Sequence, residues 1–383
     1  MMTFQARQAI LEEILEEHPD LEQVQGSALK SLLAKKVGEH FQGSGKSLEE
    51  MLHLTQSLQN TMRGLDILQP YLDDPEVSEI MVNGPDQIFI EKQGRIRKED
   101  LQFDSEDHLL RVINRCFGRA NRLINEQRPI ASLRFEDGSR LQAILPPASP
   151  DGPALSLRRF SSLKPDLNDL VKRDSLSEEA ADFLRSAVRD RKNIFISGGT
   201  GSGKTTFLNA LSAAIPKTER VITIEDTAEL DLQGVDNLLR LEAREPGPDG
   251  EGEVSLEMLI RAALRLRPDR IIVGEVRGSE AYPMIEAMRT GHPGSMSTGH
   301  ADNPLAMAER LGMLLMRSLQ LPWSQIMQIL CHTLDLIVQL CRQADGKRQV
   351  SLIGYPIYQD GSGFQVKALF KREGSGLLLP CKA

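Results

Sequence analysis

Long apolar runs are missing from this 383-residue chain. No apolar stretch approaches the roughly 18 residues that a membrane-spanning helix needs. The N-terminal sequence, MMTFQARQAILEEILEEHPD, is rich in glutamate and lacks the basic-then-apolar pattern of a secretory signal. The sequence therefore predicts a protein that stays in the cytoplasm.

Cysteine is also scarce, and basic charge is not in excess. The cysteines form no C-x-x-C pair and have no histidine at zinc-finger spacing; they are Cys116, Cys331, Cys341 and Cys381. We interpret them as reduced thiols without a metal-binding role. The formal net charge of -8 disfavours a broad nucleic-acid-binding face, so we expect no nucleic-acid partner.

The composition that is present is typical of globular proteins. Hydrophobic residues make up 40% of the chain and charged residues 26%, which excludes disordered and fibrous classes. The length favours two domains with an appendage. Changes of pattern along the chain predict four segments, which are a helical N-terminal appendage (1–65), a small α/β domain (66–160), a linker (161–172) and a larger α/β domain (173–383).

The first 65 residues are expected to be helical. Ile10, Leu11 and Ile14 fall on one helical face, and glutamates occupy the other. Ser47 followed by Glu50 indicates a capping box at the start of a further helix. Two interpretations of this appendage stay open, because it could pack on its own chain or serve as a docking arm for a partner.

The two larger segments differ in their periodicity. Hairpins are predicted around the Asn-Gly-Pro-Asp turn at 83–86 and the Glu-Asp-Gly turn at 136–138, with a helix at 109–117 between them. From residue 173 onward strands and helices alternate. That alternation predicts a parallel, doubly wound sheet.

The most specific motif is Gly-Gly-Thr-Gly-Ser-Gly-Lys-Thr at 198–205, which fits the P-loop pattern in full. It follows an apolar strand and opens a helix, as the pattern requires. Backbone amides of such a loop turn toward phosphate oxygens, and the helix N-terminus adds partial positive charge. The expected nucleotide-binding residues are Gly198, Gly199, Thr200, Gly201, Ser202, Gly203, Lys204, Thr205 and Thr206.

Polar residues follow three further strands, expected at 221–224, 271–273 and 294–298. In an open α/β sheet the ligand lies beyond the carboxyl ends of the strands. Any one of these residues could be an ordinary solvated loop residue, but the whole set beside a P-loop predicts one catalytic site. With Lys204 of the loop, the candidate catalytic residues are Glu225, Asp226, Glu275 and His300.

Chemistry assigns a role to each candidate. Lys204 is expected to reach the outer phosphates, and the Thr205 hydroxyl to bind Mg²⁺. Hydrolysis needs a carboxylate that positions and deprotonates water, which suits Glu275. Because Gly274 stands where many P-loop ATPases carry a metal-holding aspartate, support for the metal is expected partly from Glu225 or Asp226, through water. His300 is expected to contact the γ-phosphate.

The run ALRLRPDRIIVGEVRGSEAYPMIEAMRTGHPGSMSTGHA resembles the superfamily of type II and type IV secretion ATPases. Within that superfamily the chain is most similar to the tight-adherence (Flp) pilus-assembly ATPases. The likeness covers about residues 65 to 345. Its signatures are a Walker A motif at 198–205, an Asp box at 223–230, an atypical Walker B motif at 271–275 and a His box at 290–300.

The resemblance implies further site residues. In this superfamily arginines of the N-terminal domain contact the nucleotide. The matching residues here are Arg140 and Arg158. The alternative is that these two arginines only form ion pairs at the surface. His292, in the His box, could have either a structural role or a role like that of His300. Other arginines match places where the superfamily has charge stabilisers, and they are Arg240, Arg244, Arg265, Arg267 and Arg277.

The resemblance also implies the whole architecture and activity. We expect a RecA-like P-loop ATPase core with a parallel sheet, preceded by the small α/β domain and the helical appendage. The implied activity is Mg²⁺-dependent ATP hydrolysis by a hexameric ring. That ring would work on a platform protein at the inner face of the inner membrane, for pilus assembly or protein secretion.

Two other interpretations are kept. A RecA-like core could belong to a nucleic-acid motor, which stimulation of hydrolysis by DNA would reveal. It could also belong to an assembly scaffold that binds nucleotide with weak turnover. The complete P-loop and Glu275 disfavour the scaffold, and the acidic total charge disfavours the nucleic-acid motor.

Overall fold

The computed structural model describes residues 4–18, 24, 26–42, 47–159, 165–244, 246, 251–343, 345–359, 363–374 and 376–381. Its contacts divide the chain into two units, Met1–Ser161 and Ser162–Ala383. The first unit contains both the helical segment and the small α/β segment, so the boundary at 65/66 stays a prediction. Within the described residues, no helix is both long enough and apolar enough to cross a membrane.

The first unit begins with the predicted helices, α1 (Phe4–Glu17), α2 (Gly26–His40) and α3 (Leu48–Arg63). Their apolar faces meet in one core that includes Ile14, Leu33 and Leu58. The capping box predicted for α3 is present, since Ser47 Oγ accepts from the Glu50 N–H and the Glu50 carboxylate accepts from the Ser47 N–H.

A buried ionic cluster shows how the helical segment is held. Arg7 of α1 donates to Asp66 Oδ1 over 3.0 Å. His108 Nε2 lies 3.1 Å from the other Asp66 oxygen. All three side chains are almost fully buried, and a buried charge of one sign requires such partners. Helix α1 therefore packs on its own chain, as the first of the two interpretations of the appendage has it.

The rest of the first unit contains α4 (Gln69–Asp73), β1 (Val77–Asn83), β2 (Ile88–Lys92), β3 (Arg95–Lys98), α5 (Glu106–Arg119), β4 (Ile130–Arg134), β5 (Arg140–Ile144) and β6 (Ala154–Arg158). The strands form an antiparallel sheet in the order β3-β2-β1-β6-β5-β4. Leu109, Val112 and Phe117 recur at helical spacing along α5 and are buried in the same core as the strands. Both predicted hairpins are present, as β1 with β2 and β4 with β5.

The second unit begins earlier than the sequence predicts. Residues 161–164 of the expected linker lie outside the described residues. The remainder contains a capped helix whose Leu167 and Leu170 are buried in the core of the second unit. The interpretation of 165–172 as linker is therefore wrong, because two leucines at helical spacing bury better as a helix than as an exposed connection.

Strands and helices alternate through most of the second unit. Its elements are α6 (Leu167–Lys172), α7 (Glu178–Arg189), β7 (Ile194–Gly198), α8 (Lys204–Ser212), β8 (Arg220–Glu225), β9 (Asn237–Glu242), α9 (Leu256–Ala263), β10 (Arg270–Val273), α10 (Ala281–Arg289), β11 (Met296–His300), α11 (Pro304–Met316), α12 (Trp323–Thr333), β12 (Leu336–Arg342), β13 (Arg348–Gln359), β14 (Gly363–Arg372) and β15 (Leu378–Pro380).

Nine strands of the described residues form one sheet, in the order β15-β14-β13-β12-β7-β11-β10-β8-β9. The run from β12 to β9 is parallel, as predicted. Strands β13, β14 and β15 extend it antiparallel. Two apolar cores lie on its two faces, so β7 and β10 are buried along their whole length, as central parallel strands are.

Candidate active site

The P-loop connects β7 to α8 at the carboxyl edge of the parallel strands. Gly201 (φ +69°) and Gly203 (φ +91°) adopt left-handed backbone conformations, which glycine reaches at little cost. A side chain at Gly198 would come within 2.5 Å of Ser202 Oγ. The glycines of the motif therefore serve both the turn itself and the close packing around it.

Lys204 is the first residue of α8 and its side chain is buried. Its Nζ donates to the carbonyl oxygens of Gly198 over 3.1 Å and Gly199 over 3.0 Å. The same nitrogen lies 3.3 Å from Nδ1 of His300. The ammonium group is thus held inside the loop, where phosphate oxygens would meet it.

Strand register brings the other candidates to the same edge. Ile224 pairs with Val273 across β8 and β10, so Glu225, the last residue of β8, and Gly274, the residue after β10, lie at one level. Gly198 pairs with the last residue of β11, His300. Residues far apart in the chain therefore meet because parallel strands end together.

His300 joins the P-loop lysine to the candidate base. Its Nε2 lies 3.1 Å from Glu275 Oε1. The other Glu275 oxygen accepts from Arg277 Nη2 over 2.7 Å. Since Lys204 can only donate, His300 Nδ1 accepts and its proton sits on Nε2, facing the carboxylate. The site thus contains a line of close contacts from Lys204 through His300 and Glu275 to Arg277, although Glu275 Oε1 makes no hydrogen bond among the described residues.

Burial and charge set the protonation states of this line. Burial lowers the pKa of His300, and the neighbouring Lys204 lowers it further, although Glu275 opposes the shift. Burial raises the pKa of Glu275, but Arg277, His300 and Lys204 together outweigh it, and the net pKa is lowered. At neutral pH the imidazole is therefore neutral and the Glu275 carboxylate is ionised.

Glu225 has a different environment at the end of β8. One of its oxygens accepts from the backbone N–H groups of Glu229 and Leu230, each over 2.8 Å. Its Oε2 is buried without a hydrogen-bond partner among the described residues. Burial raises the pKa of Glu225 to about 7, and the two backbone donors only partly offset this.

Gly274 makes room for Glu225. A Cβ at position 274 would lie 2.9 Å from Glu225 Cγ, closer than packed carbon atoms normally approach. Glu225 of the Asp box can therefore pack here only because residue 274, in the atypical Walker B motif, is a glycine. An aspartate at 274 would compete with Glu225 for the same space.

The residues at this edge suit Mg²⁺. Hydroxyl and carboxylate oxygens are the donors that this ion prefers, and the orphaned Glu225 Oε2 is such an oxygen. Thr205 is the second residue of α8, and Asp226 directly follows Glu225. No group of three or more His, Cys, Asp or Glu that could hold a metal occurs in the described part of the chain.

The remaining predicted residues belong to other elements of the fold. Arg140 and Arg158 belong to the first unit, where they pair directly across β5 and β6. His292 precedes β11 at the amino edge of the sheet, the opposite edge from His300, and its carbonyl accepts from Ser295. Among the arginines considered for charge stabilisation, Arg277 contacts the site and Arg240 lies on edge strand β9, whereas Arg265 and Arg267 are exposed after α9.

Two residues that steady His300 have no signal in the sequence. Arg310 of α11 donates to the His300 carbonyl over 3.2 Å. The Gln339 side chain of β12 donates to the Ala301 carbonyl over 3.2 Å. Arg310 lies 10 positions after His300 and Gln339 lies 38 positions after Ala301, and neither stands in a motif. Only the folded structure shows that they hold two successive backbone carbonyls, those of the histidine and of the residue after it.

A P-loop on the central strand of a parallel sheet, facing an ionised glutamate and a histidine, defines the class of P-loop ATPases. The family described as type II/IV secretion system protein matches residues 61–371, and the chain belongs to that family. Its members are ATPases, so the predicted superfamily, fold class and enzyme class are confirmed. The narrower similarity to tight-adherence (Flp) pilus ATPases stays a prediction.

Individual relatives agree with this assignment. The type IV secretion system protein PtlH of Bordetella pertussis is 33% identical over 317 residues, which are 76% of this chain and 94% of PtlH. The protein VirB11 of Agrobacterium tumefaciens is 35% identical over 298 residues, 70% of this chain and 86% of VirB11. The ATPase DotB of Legionella pneumophila shares the fold, with a TM-score of 0.54 at 21% identity over 76% of this chain and 79% of DotB.

Proposed function

We propose that this chain hydrolyses ATP with Mg²⁺ and uses the energy to drive pilus assembly or protein secretion. The observation that carries the proposal is the line from Lys204 through His300 to Glu275. It sets a phosphate-binding cation and an ionised carboxylate on either side of one neutral imidazole. Hydrolysis of a terminal phosphate needs that combination of charge neutralisation and water activation.

In the proposed reaction the P-loop amides and Lys204 hold the β- and γ-phosphates. Glu275 orients the attacking water and accepts its proton, for which the carboxylate must be ionised. In this proposal His300 would donate its Nε2–H to a γ-phosphate oxygen when ATP is bound. Mg²⁺, when bound by Thr205 and supported through water by Glu225 and Asp226, would neutralise charge on the phosphates.

We propose that the first unit couples ATP hydrolysis to mechanical work. Arg140 and Arg158 would contact bound ATP, so that ATP favours a closed arrangement of the domains and ADP favours it less. Such a difference in contacts between two states is what a ligand needs to shift a conformational equilibrium. The relatives named as type IV secretion proteins support a secretion or pilus role.

Assembly and location belong to the same proposal. We expect the chain to form a hexameric ring in the cytoplasm, held at the inner face of the inner membrane by a platform protein. The family assignment supports this. Six sites in a ring would allow hydrolysis to be coupled from subunit to subunit.

Two variants test the enzymatic part. Lys204→Ala should abolish tight ATP binding, because it removes the buried cation of the loop. Glu275→Gln should still bind ATP but lose turnover by roughly 10²–10⁴, the span expected when a general base is removed. Nucleotide titration and phosphate release measure the two effects. Full ATP affinity in Lys204→Ala, or parent turnover in Glu275→Gln, would contradict the proposal.

A further inference from the structure

The hairpin formed by β12 and β13 brings two arginines to the P-loop. Arg342 and Arg348 are directly paired across the two strands. A Cβ built on Gly201 would lie 3.4 Å from Arg342 Nη1, and one built on Gly203 would lie 3.2 Å from Arg348 Cδ. Both arginine side chains therefore lie against the loop glycines that have left-handed backbones.

The position of these arginines in the sheet indicates which part of a nucleotide they face. Strand β7 has β11 on one side and β12 on the other. The β11 side carries His300, which contacts both Lys204 and Glu275. The γ-phosphate end of the site therefore lies toward β11 and β10. The arginines approach the loop from the opposite side.

The chemistry of the two side chains suits a nucleotide. Both side chains are exposed, so a ligand held by the loop could reach them. Guanidinium groups bind phosphate oxygens through paired N–H donors and stack on flat aromatic rings. On this side of the loop a nucleotide would present an anionic α-phosphate and a flat base.

We propose that Arg342 and Arg348 hold the nucleoside end of the bound nucleotide, through its α-phosphate, ribose and base. This inference rests on the proposed nucleotide site. It gives a role to the hairpin near the C-terminal end of the family match, for which the sequence motifs offer none. Because ATP and ADP share this end, the contacts bind both nucleotides alike and do not report the γ-phosphate.

The test compares ATP and ADP affinities of Arg342→Gln and Arg348→Gln by calorimetric titration. Each variant should weaken both nucleotides by the same factor, about tenfold, as loss of a charge-assisted contact predicts. Arg342→Lys, which keeps the charge, should lose less. Lys347→Gln is the matched control, since Lys347 lies on the same turn and pairs with Asp345 at 4.0 Å; it should bind like the parent.

Two results would overturn the inference: unchanged affinities in both glutamine variants, or weakening of ATP alone, which would move the contact to the γ-phosphate. Thermal melting before titration shows that each variant is folded. Lys204→Ala distinguishes a failure of this inference from a failure of the proposed nucleotide site. If it loses ATP binding while both arginine variants keep it, only this inference fails; if it also keeps ATP binding, the nucleotide site itself is wrong.

Discussion

Nε2 of His300 and Oε1 of Glu275 lie 3.1 Å apart at the carboxyl edge of the sheet. The imidazole is fixed on its other side by Lys204, 3.3 Å from Nδ1. His300, which we propose to contact the γ-phosphate, therefore also lies directly against the candidate base. We expect phosphate binding and water activation to be coupled through this one side chain.

His300→Ala should lower turnover by about 100-fold, because a base displaced by 1 Å can lose that much rate. ADP affinity should change little, since the β-phosphate contacts remain. Single-turnover phosphate release and ADP titration measure the two quantities. His292→Ala is the control from the same His box, at the opposite edge of the sheet, and should keep parent turnover. Equal losses in both variants would contradict the assignment.

Glu225 predicts a pH dependence of stability in the Mg²⁺-free, nucleotide-free protein. Its folded pKa of about 7 is above the ordinary value of 4.5, so the native state holds its proton more tightly than the unfolded state. The resulting stabilisation is complete below pH 4.5 and is lost as pH rises toward 7. Glu225→Gln should remove this dependence.

Urea denaturation of parent and Glu225→Gln at pH 5 and pH 8 measures the effect. Between these pH values the parent should lose of the order of 3 kcal/mol more free energy of unfolding than the variant, at about 1.4 kcal/mol per pKa unit. Comparison with the variant cancels the contributions of all other titrating groups. Parallel changes in the two proteins would mean that Glu225 titrates normally.

Gly274→Ala should destabilise the second unit by about 1–3 kcal/mol, the usual cost of overpacking a buried site. The added Cβ would lie 2.9 Å from Glu225 Cγ, so Glu225→Ala should relieve much of the loss in the double variant. A double-mutant cycle on the free energy of unfolding measures the coupling. Gly199→Ala is the control, since a Cβ there meets nothing within 4 Å. Additive effects of the two substitutions would exclude the predicted contact.

Arg140→Ala and Arg158→Ala should fold normally and lose most ATPase activity. Each charge-assisted phosphate contact is worth about 1.5–3 kcal/mol, which is enough to change the population of the proposed closed domain arrangement tenfold or more. The variants should also lose the compaction that a non-hydrolysable ATP analogue produces in small-angle scattering. Arg97→Ala, on the edge strand β3, is the control. Parent-rate hydrolysis in both variants would make these arginines ordinary surface residues.

Local patterns in the sequence determine the P-loop, the alternation of strands and helices, and the polar residues at the strand ends. Each depends on neighbours within a few positions, such as the glycines before Lys204 or the apolar run before Glu275. Edge strand β9 (Asn237–Glu242) is absent from the prediction, because its residues are only partly buried and lack a continuous apolar run. Helix α6 is also missed, since its two leucines are too few to show a period.

Tertiary structure alone decides which of these residues meet. The contact between Lys204 and His300 joins residues 96 positions apart, and strand order, which local patterns leave open, brings them together. The sheet likewise packs Glu225 on Gly274, places His292 at the opposite edge and sets Arg342 and Arg348 against the P-loop. The sequence by itself determines that a nucleotide site exists; the order and register of the strands decide which side chains complete it.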